Sequence, residues 1–266
     1  MKITLASFAL ALTFSLAAPI VAQNNSIFEV SPSQNKTSYD LGVASVYRNA
    51  YVGSDTTSTI VLPYATGIYK GRYFFNPALG AGVYAINNDK VRLAASTHLA
   101  LGRDGEDTPF SNQAFAEEFD VKSTLTTKIS GRIYLPIAAF DVVGTLPLTG
   151  GLAGARLDTL LTTSVSPTER LRITPGVRAT FTTSGWMNTN YGIDNTQALA
   201  SGLNTFDTGD GLSTIGAHAA LFYKLNKNYE VVGVINHSWL MGDVKESPLI
   251  SSDTGITAAV GLSRKF

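Results

Sequence analysis

The sequence contains no cysteine and few charged residues. Without cysteine among its 266 residues, the chain has no disulfide, no thiol nucleophile and no thiolate metal ligand. Charged residues make up 15% of the chain, well below the value of about 25% that is usual in soluble domains. Twenty basic residues balance twenty acidic ones, so the net charge gives no support for nucleic-acid binding.

Long apolar runs are absent after residue 22. Met1 and Lys2 give a positive start, residues 3–18 are apolar or small, and Ala22 suits cleavage, which predicts a signal peptide at residues 1–22. A retained membrane helix is the alternative, disfavoured by the short run and by Pro19. No later segment reaches the roughly 18 apolar residues that a spanning helix requires. In a membrane the mature chain must therefore form a closed barrel, because hydrocarbon offers the main chain no hydrogen-bond partner.

The mature chain instead alternates apolar and polar residues, and we predict a single domain at 23–266. Leu171, Ile173 and Val177 share one side of a segment whose other side carries Arg172 and Arg178, a period of two that indicates a strand. We expect essentially no helix. The predicted strands are 38–48, 58–69, 72–85, 90–101, 113–128, 132–143, 154–165, 170–183, 213–224, 229–240 and 254–266. Bacterial barrels use an even number, so either a strand is missing, in 24–31 or 184–212, or two segments are one.

The last predicted strand resembles the C-terminal strand of a bacterial outer-membrane barrel. Ile256, Val260 and Phe266 share an apolar face, and Gly261, Leu262 and Phe266 are predicted to be the signal that the barrel-insertion machinery reads. A soluble sandwich would show the same alternation. Aromatic residues near the segment ends are typical of the girdles of a membrane barrel. These are Tyr47, Tyr51, Tyr69, Tyr73, Phe74, Phe75, Phe222, Tyr223, Tyr229, Trp239 and Phe266.

We therefore predict an all-β, antiparallel transmembrane barrel of 10 to 12 strands in the bacterial outer membrane, in contact with membrane lipid and lipopolysaccharide. Short turns predict the periplasmic end and longer connections the outer end. Polar alternation predicts a set of residues that line the lumen. These are Arg92, His98, Arg172, Arg178, His218 and Lys224.

Candidate catalytic and metal-binding groups are sparse. His98 or His218 could act as a general base in a barrel enzyme, but the plainer interpretation is a polar network that fills the lumen. No histidine pair has metal-ligand spacing, and no Gly-x-Ser-x-Gly motif is present. The acidic residues of 104–107 and 117–120 could bind a divalent cation that bridges lipopolysaccharide phosphates, or form a solvated loop. We predict no catalytic residue, metal or cofactor.

Ordered motifs resemble the MipA/OmpV family of outer-membrane proteins, named for the MltA-interacting protein. They include Tyr51-Val52-Gly53-Ser54-Asp55, Leu62-Pro63-Tyr64, Gly102-Arg103, Tyr191-Gly192-Ile193, Gln197-Ala198, Ser201-Gly202-Leu203 and Ser247-Pro248-Leu249. The positions that carry the match, as contacts or as turn-forming residues, are Tyr51, Gly53, Ser54, Asp55, Ser247 and Pro248. Arg264 departs from the family ending, where an aromatic residue is typical, and we expect it to reach toward the headgroups beside Phe266.

The resemblance implies a non-enzymatic scaffold associated with peptidoglycan remodelling. In the family this role links a lytic transglycosylase to a penicillin-binding protein, and other members are linked to osmotic response and adhesion. It brings no catalytic residue with it. A narrow passive channel is the alternative; its lumenal arginines would favour anions, although small barrels are commonly filled by side chains.

Overall fold

Twelve antiparallel strands close into a barrel in a computed structural model, which describes residues 37–266. Closure comes from pairing of the first strand with the last, from Asp40 opposite Lys265 to Arg48 opposite Thr257. This confirms the predicted barrel and its even strand number. The strands are β1 Ser38–Asn49, β2 Thr57–Tyr69, β3 Tyr73–Asn76, β4 Gly80–Asn87, β5 Val91–Ala100, β6 Thr124–Tyr134, β7 Ala139–Thr149, β8 Arg156–Thr162, β9 Leu171–Thr182, β10 Gly211–Lys224, β11 Tyr229–Leu240 and β12 Thr254–Lys265.

The predicted signal peptide at 1–22 and the possible extra strand at 24–31 lie outside the described residues. The additional strand comes from the predicted strand 72–85, which contains β3 and most of β4. Pro77 has no amide hydrogen to pair, and Gly80 has a φ of 82°, so the chain turns between them. The carbonyl of Ala78, at the tip of this turn, accepts a hydrogen bond of 2.5 Å from Lys128 Nζ inside the barrel.

Two other predicted strands, 113–128 and 132–143, have the wrong bounds. Residues 113–123 form a loop that contains a 3₁₀ helix at Ala116–Phe119, and Ser130 and Gly131 lie inside β6 and not in a turn. The turn lies at 135–138, after a longer β6. Apolar residues of this loop pack into a separate hydrophobic cluster. Their spacing in the sequence is similar to that of a strand, which explains the wrong prediction.

The segment 184–212 holds helices, contrary to the expectation of no helix. Helix α1 spans Ser184–Tyr191 and α2 spans Asn195–Ser201. Helix α2 begins with a capping box, in which Asp194 and Gln197 satisfy each other's main-chain amides, and ends at Gly202 in the left-handed conformation. These local capping signals are enough to form a short helix, although the segment has no apolar stripe. No helix within residues 37–266 is long and apolar enough to cross a membrane.

Connections at the two ends of the barrel differ in length. The loops 50–56, 101–123, 150–155, 183–210 and 241–253 lie at one end, and the turns 70–72, 88–90, 135–138, 163–170 and 225–228 lie at the other. Bacterial barrels carry their short turns on the periplasmic side. The loop end is therefore the outer end. Division of 72–85 into two strands keeps the short turns at the opposite end, although the β3–β4 connection at 77–79, on the outer side by this alternation, is short.

The barrel wall separates an apolar outer surface from a mixed interior. Outward side chains such as Leu41, Val61 and Ile129 are at least half exposed, as lipid-facing positions must be. Part of the interior is also apolar, formed by the cluster Ala44, Val46, Leu62, Tyr64, Ala220, Phe222, Val232 and Val234. Phe74 and Phe222 are buried inside, so their assignment to an aromatic girdle was wrong. Tyr47, Tyr73 and Trp239 are exposed on the wall.

Substitution of Gly80 should destabilise the β3–β4 turn. A Cβ on Gly80 would lie 2.0 Å from the Thr97 carbonyl oxygen at a positive φ, whereas a Cβ on Gly131 would meet nothing within 4 Å. We expect Gly80→Ala to lower the free energy of unfolding by about 2–4 kcal/mol and the control Gly131→Ala to change it by less than about 0.5 kcal/mol. Urea unfolding in detergent measures both, and equal stability of the two variants would contradict the assigned turn.

Candidate functional site

The family-motif residues converge at the outer end of the barrel. We call the packed loops 50–56, 101–123, 183–210 and 241–253 the outer cap. The Tyr51 hydroxyl donates to the Leu249 carbonyl at 2.5 Å, although the two residues are 198 positions apart. The Tyr191 hydroxyl donates to the Val52 carbonyl at 3.0 Å, and the Ser247 hydroxyl donates to the Tyr191 carbonyl at 2.6 Å. Side chains thus tie three loops together through main-chain carbonyls.

Gly53 and Ser54 are buried within this cap. Gly53 has a φ of 110°, and its carbonyl accepts from the amides of Ser251 and Ser252 at 2.8 and 3.0 Å. A Cβ on Gly53 would lie 2.3 Å from Ile250 Cδ1, and the positive φ is one that other residues rarely adopt, so glycine is favoured here. The Ser54 hydroxyl donates to the Asp107 carbonyl at 3.3 Å. These two positions therefore act in loop packing.

Asp55 and Pro248 occupy a different environment from the other motif positions. Both are exposed on the cap, although each lies beside a buried motif residue. Their side chains are therefore available for contacts, whereas Tyr51, Gly53, Ser54 and Ser247 are engaged with other loops. The buried positions pack the loops, and a contact role for the two exposed positions stays a prediction.

Arg103 lies at the centre of the cap. Its guanidinium donates to the carbonyls of Asn190 at 2.5 Å and Phe119 at 3.1 Å, and stacks 4.8 Å from the centre of the Tyr51 ring. Charge-assisted hydrogen bonds and a cation–π contact are both stronger when shielded from water. Burial lowers the pKa of Arg103. Burial also raises the pKa of Tyr51 to about 12, so its hydroxyl stays a donor across the physiological range.

An aromatic cluster joins the cap loops beside Arg103. The ring centres of Phe110, Phe115 and Phe119 lie 5.4 to 6.3 Å apart. Phe119 packs with Ile193 and Leu249, each 1% exposed, which come from two other loops. Gln197 Nε2 adds a hydrogen bond of 2.9 Å to the Glu118 carbonyl. The cap has its own small core and covers the outer end of the barrel.

The residues predicted to line the lumen lie in several separate environments. Arg92 and His98 are each 7% exposed and His218 is 4% exposed. Arg92 stacks between Tyr84 and Tyr134, at 5.9 and 5.5 Å from the ring centres. Each of these three side chains comes from the inward side of its strand.

The other predicted lumen residues differ in exposure and in partner. His218 Nδ1 lies 2.7 Å from Asn236 Oδ1, and Arg172 stacks 4.0 Å from the centre of the Phe222 ring. Arg178 is held by a carboxylate of the neighbouring strand, 2.7 Å away. Lys224 is exposed at the periplasmic end of β10. The six residues therefore do not form one site, although His98 and Arg178 line the same cavity.

Sequence reasoning missed the ion pairs that organise the polar part of the interior. Arg132 binds the Asp141 carboxylate with two bonds of 2.6 and 2.9 Å. The Asp158 carboxylate accepts from Arg156, Arg178 and Thr180 at 2.7 to 2.8 Å. Bidentate arginine–carboxylate pairs satisfy buried charges. The sequence signal for these ion pairs was the presence of acidic residues on the inward sides of adjacent predicted strands.

The acidic residues proposed as a cation site are not brought together. Asp120 Oδ1 accepts from the Gly105 amide at 2.6 Å and so stabilises the loop. Within residues 37–266, no three His, Asp or Glu side chains lie close enough to hold a metal ion. The structure gives this loop a packing role in the outer cap.

The C-terminal residues lie at the periplasmic end of the closing strand pair. The Phe266 amide donates to the Tyr39 carbonyl at 2.8 Å. Arg264 lies 5.9 Å from the centre of the Tyr229 ring and 4.7 Å from that of Phe266. The aromatic neighbours hold the cation at the membrane edge, where its cost is small. Leu262 faces outward, whereas Gly261 faces Ala44 and Tyr64 inside.

The closed barrel with a lipid-facing apolar wall defines an outer-membrane barrel protein of bacteria. The chain belongs to the MipA family: the model of that family, described as MltA-interacting protein MipA, matches residues 41–266. This confirms the resemblance seen in the motifs. No curated protein sequence matches the chain.

Solved outer-membrane structures are similar to the chain at low identity. An outer membrane channel from Pseudomonas putida F1 is 12% identical, with 90% of this chain and 100% of that chain covered and a TM-score of 0.48. The NanC porin is 9% identical, with 85% and 100% covered and a TM-score of 0.42. The translocator domain of the autotransporter NalP from Neisseria meningitidis is 9% identical, with 98% of each chain covered and a TM-score of 0.40. These values carry no argument about function.

Removal of the Arg103 guanidinium should loosen the outer cap and leave the barrel intact. We expect Arg103→Met to lower the free energy of local opening around residues 188–193 by about 2 kcal/mol, because two charge-assisted bonds are lost. Hydrogen exchange measured by mass spectrometry reports this opening. Lys245→Met is the control, since Lys245 is a cap cation in an exposed ion pair of 3.7 Å. Unchanged exchange in Arg103→Met would contradict the assigned role.

Proposed function

We propose that this protein is a non-enzymatic scaffold in the outer membrane that binds peptidoglycan-remodelling enzymes on its periplasmic side. The partner classes are a lytic transglycosylase and a penicillin-binding protein. The observation that carries the proposal is the family match over residues 41–266, since the family is described by its interaction with MltA. The packed outer cap supports it, because a general diffusion pore requires an open outer mouth.

The periplasmic rim is the surface that faces such partners. Two adjacent turns expose apolar side chains there: Leu135 is 49% exposed, Ile137 83% and Val165 53%. The turns are held together by the Thr163 hydroxyl, which donates to the Ile137 carbonyl at 2.6 Å. We call these three residues the periplasmic apolar patch. An apolar patch at a polar rim is a common feature of protein interfaces.

The arrangement of polar side chains inside the barrel supports a scaffold function more than an enzymatic one. His218 lies against an amide, and the charged groups near His98 are held by ion pairs or by a main-chain carbonyl. A general base requires a positioned nucleophile or water and a group that orients it. Several interior side chains instead bond one another, as expected of a structural filling.

Substitution of Ile137 should reduce partner recovery. We expect Ile137→Glu to lower at least severalfold the amount of lytic transglycosylase and penicillin-binding protein crosslinked to the tagged barrel in intact envelopes, because a charge replaces an interface side chain. Leu199→Glu is the matched control, since Leu199 is 88% exposed on the outer cap. Mass spectrometry quantifies the recovered proteins, and heat-modifiable migration checks the folding of both variants.

Two outcomes would contradict the scaffold. Recovery of the same proteins by an unrelated barrel of equal abundance would remove the specific interaction. Absence of any murein enzyme, together with anion-selective steps in planar bilayers, would favour the alternative of a narrow channel. If the enzymes are recovered equally with Ile137→Glu, the scaffold stands and the periplasmic apolar patch is excluded as its contact.

A further inference from the structure

A cavity of about 540 Å³ lies between the outer cap and the polar wall of the barrel. Tyr51, Arg103 and Tyr191 line it from the cap, and Lys128, Asp158 and Arg178 line it from the strands. Its volume falls within the range of about 300–1,000 Å³ that is usual for small-molecule sites. The scaffold function makes no use of this cavity.

Positive charge exceeds negative charge on the strand side of the cavity. Arg156 and Arg178 both bind the Asp158 carboxylate. Lys128 Nζ donates to the Ala78 carbonyl, which carries no formal charge, and Lys128 is only 5% exposed. A buried cation that is bonded to a neutral carbonyl is costly, so Lys128 favours an anion in the cavity.

Four buried polar groups of residues that line the cavity have no hydrogen-bond partner within residues 37–266. Two are Arg48 Nε and Arg103 Nε, and the others are His98 Nδ1 and the Thr182 hydroxyl, whose residues are each 7% exposed. Nearly all buried polar groups in proteins are hydrogen-bonded. Because the His98 and Thr182 groups belong to side chains that line the cavity, a ligand with oxygen atoms there would satisfy them.

We propose that this cavity binds a small anion through a phosphate group. Lys128 and Arg178 supply the charge, and His98 and Thr182 supply further hydrogen bonds. The Arg156 guanidinium lies 5.9 Å from the centre of the Trp186 ring. Trp186 offers an apolar surface to the body of the ligand. Such a group could belong to a soluble anion or to a lipid headgroup. The proposal is independent of the periplasmic contact.

Calorimetric titration of the purified protein, refolded in neutral detergent, tests the site. The probes are inorganic phosphate and, separately, short-chain phosphatidic acid. We expect one-to-one binding of at least one probe, weakened about tenfold or more in Lys128→Met because a charged hydrogen bond is lost. Lys128→Arg keeps the charge and should bind. Lys224→Met removes the same charge from the exposed end of β10 and should bind as the wild type does.

The outcomes separate the sources and decide the proposal. Binding of phosphate supports a soluble anion, and binding of phosphatidic acid alone supports a lipid headgroup. If Lys128→Met does not give a heat-modifiable barrel, His98→Asn replaces it, with the same direction of change expected. Absence of binding by both probes, or affinities that are equal in the wild type and in these cavity variants, would overturn the proposal.

Discussion

The pairing of β1 with β12 is the constraint on which the rest of the structure depends. In hydrocarbon a strand edge has no water to bond, so the sheet must close on itself. The register from Asp40 opposite Lys265 to Arg48 opposite Thr257 accomplishes this closure. Once the sheet is closed, successive side chains of a strand face either the lipid or the barrel interior. Polar residues on the inward side must then find partners within a confined space, and Asp158 binds two arginines for this reason.

Closure also explains why residues far apart in sequence form one cap. Successive hairpins return the chain to the same end of the barrel, so loops 50–56 and 241–253 become neighbours. Tyr51 can therefore bond the Leu249 carbonyl, and Arg103 can bond the Asn190 carbonyl. This packing determines which residue types fit at the buried motif positions. Partner contacts proposed for the periplasmic rim are at the opposite end, so the family motif and the proposed interface occupy different surfaces.

Much of the barrel could be predicted from sequence because its signal is a simple period of two. The arginines of β9 and the histidine of β5 lie on the inward sides of their strands, as the alternation requires. The division of 72–85 was missed because a turn of three residues, Pro77 to Leu79, lies within an otherwise alternating segment. Helix α2 was missed because its evidence is a local capping box and not an apolar stripe.

The candidate site was harder to predict than the fold. Alternation shows that Lys128 and Asp158 face inward, but not that one meets a main-chain carbonyl and the other two guanidinium groups. Such contacts depend on strand register and tilt, which are set by pairing across the whole barrel. The cap depends on contacts such as that between Ser247 and Tyr191, which join loops without regular structure.

The outer cap, which is built from the motif residues, faces outward, and the apolar turns face the periplasm. Because the chain contains no cysteine, a single introduced cysteine is a unique label. Labelling of Leu199→Cys and Ile137→Cys with a membrane-impermeant maleimide, in intact and in permeabilised cells, tests this claim directly. We predict that Leu199→Cys reacts in intact cells and that Ile137→Cys reacts only after permeabilisation. The reverse pattern would contradict the account.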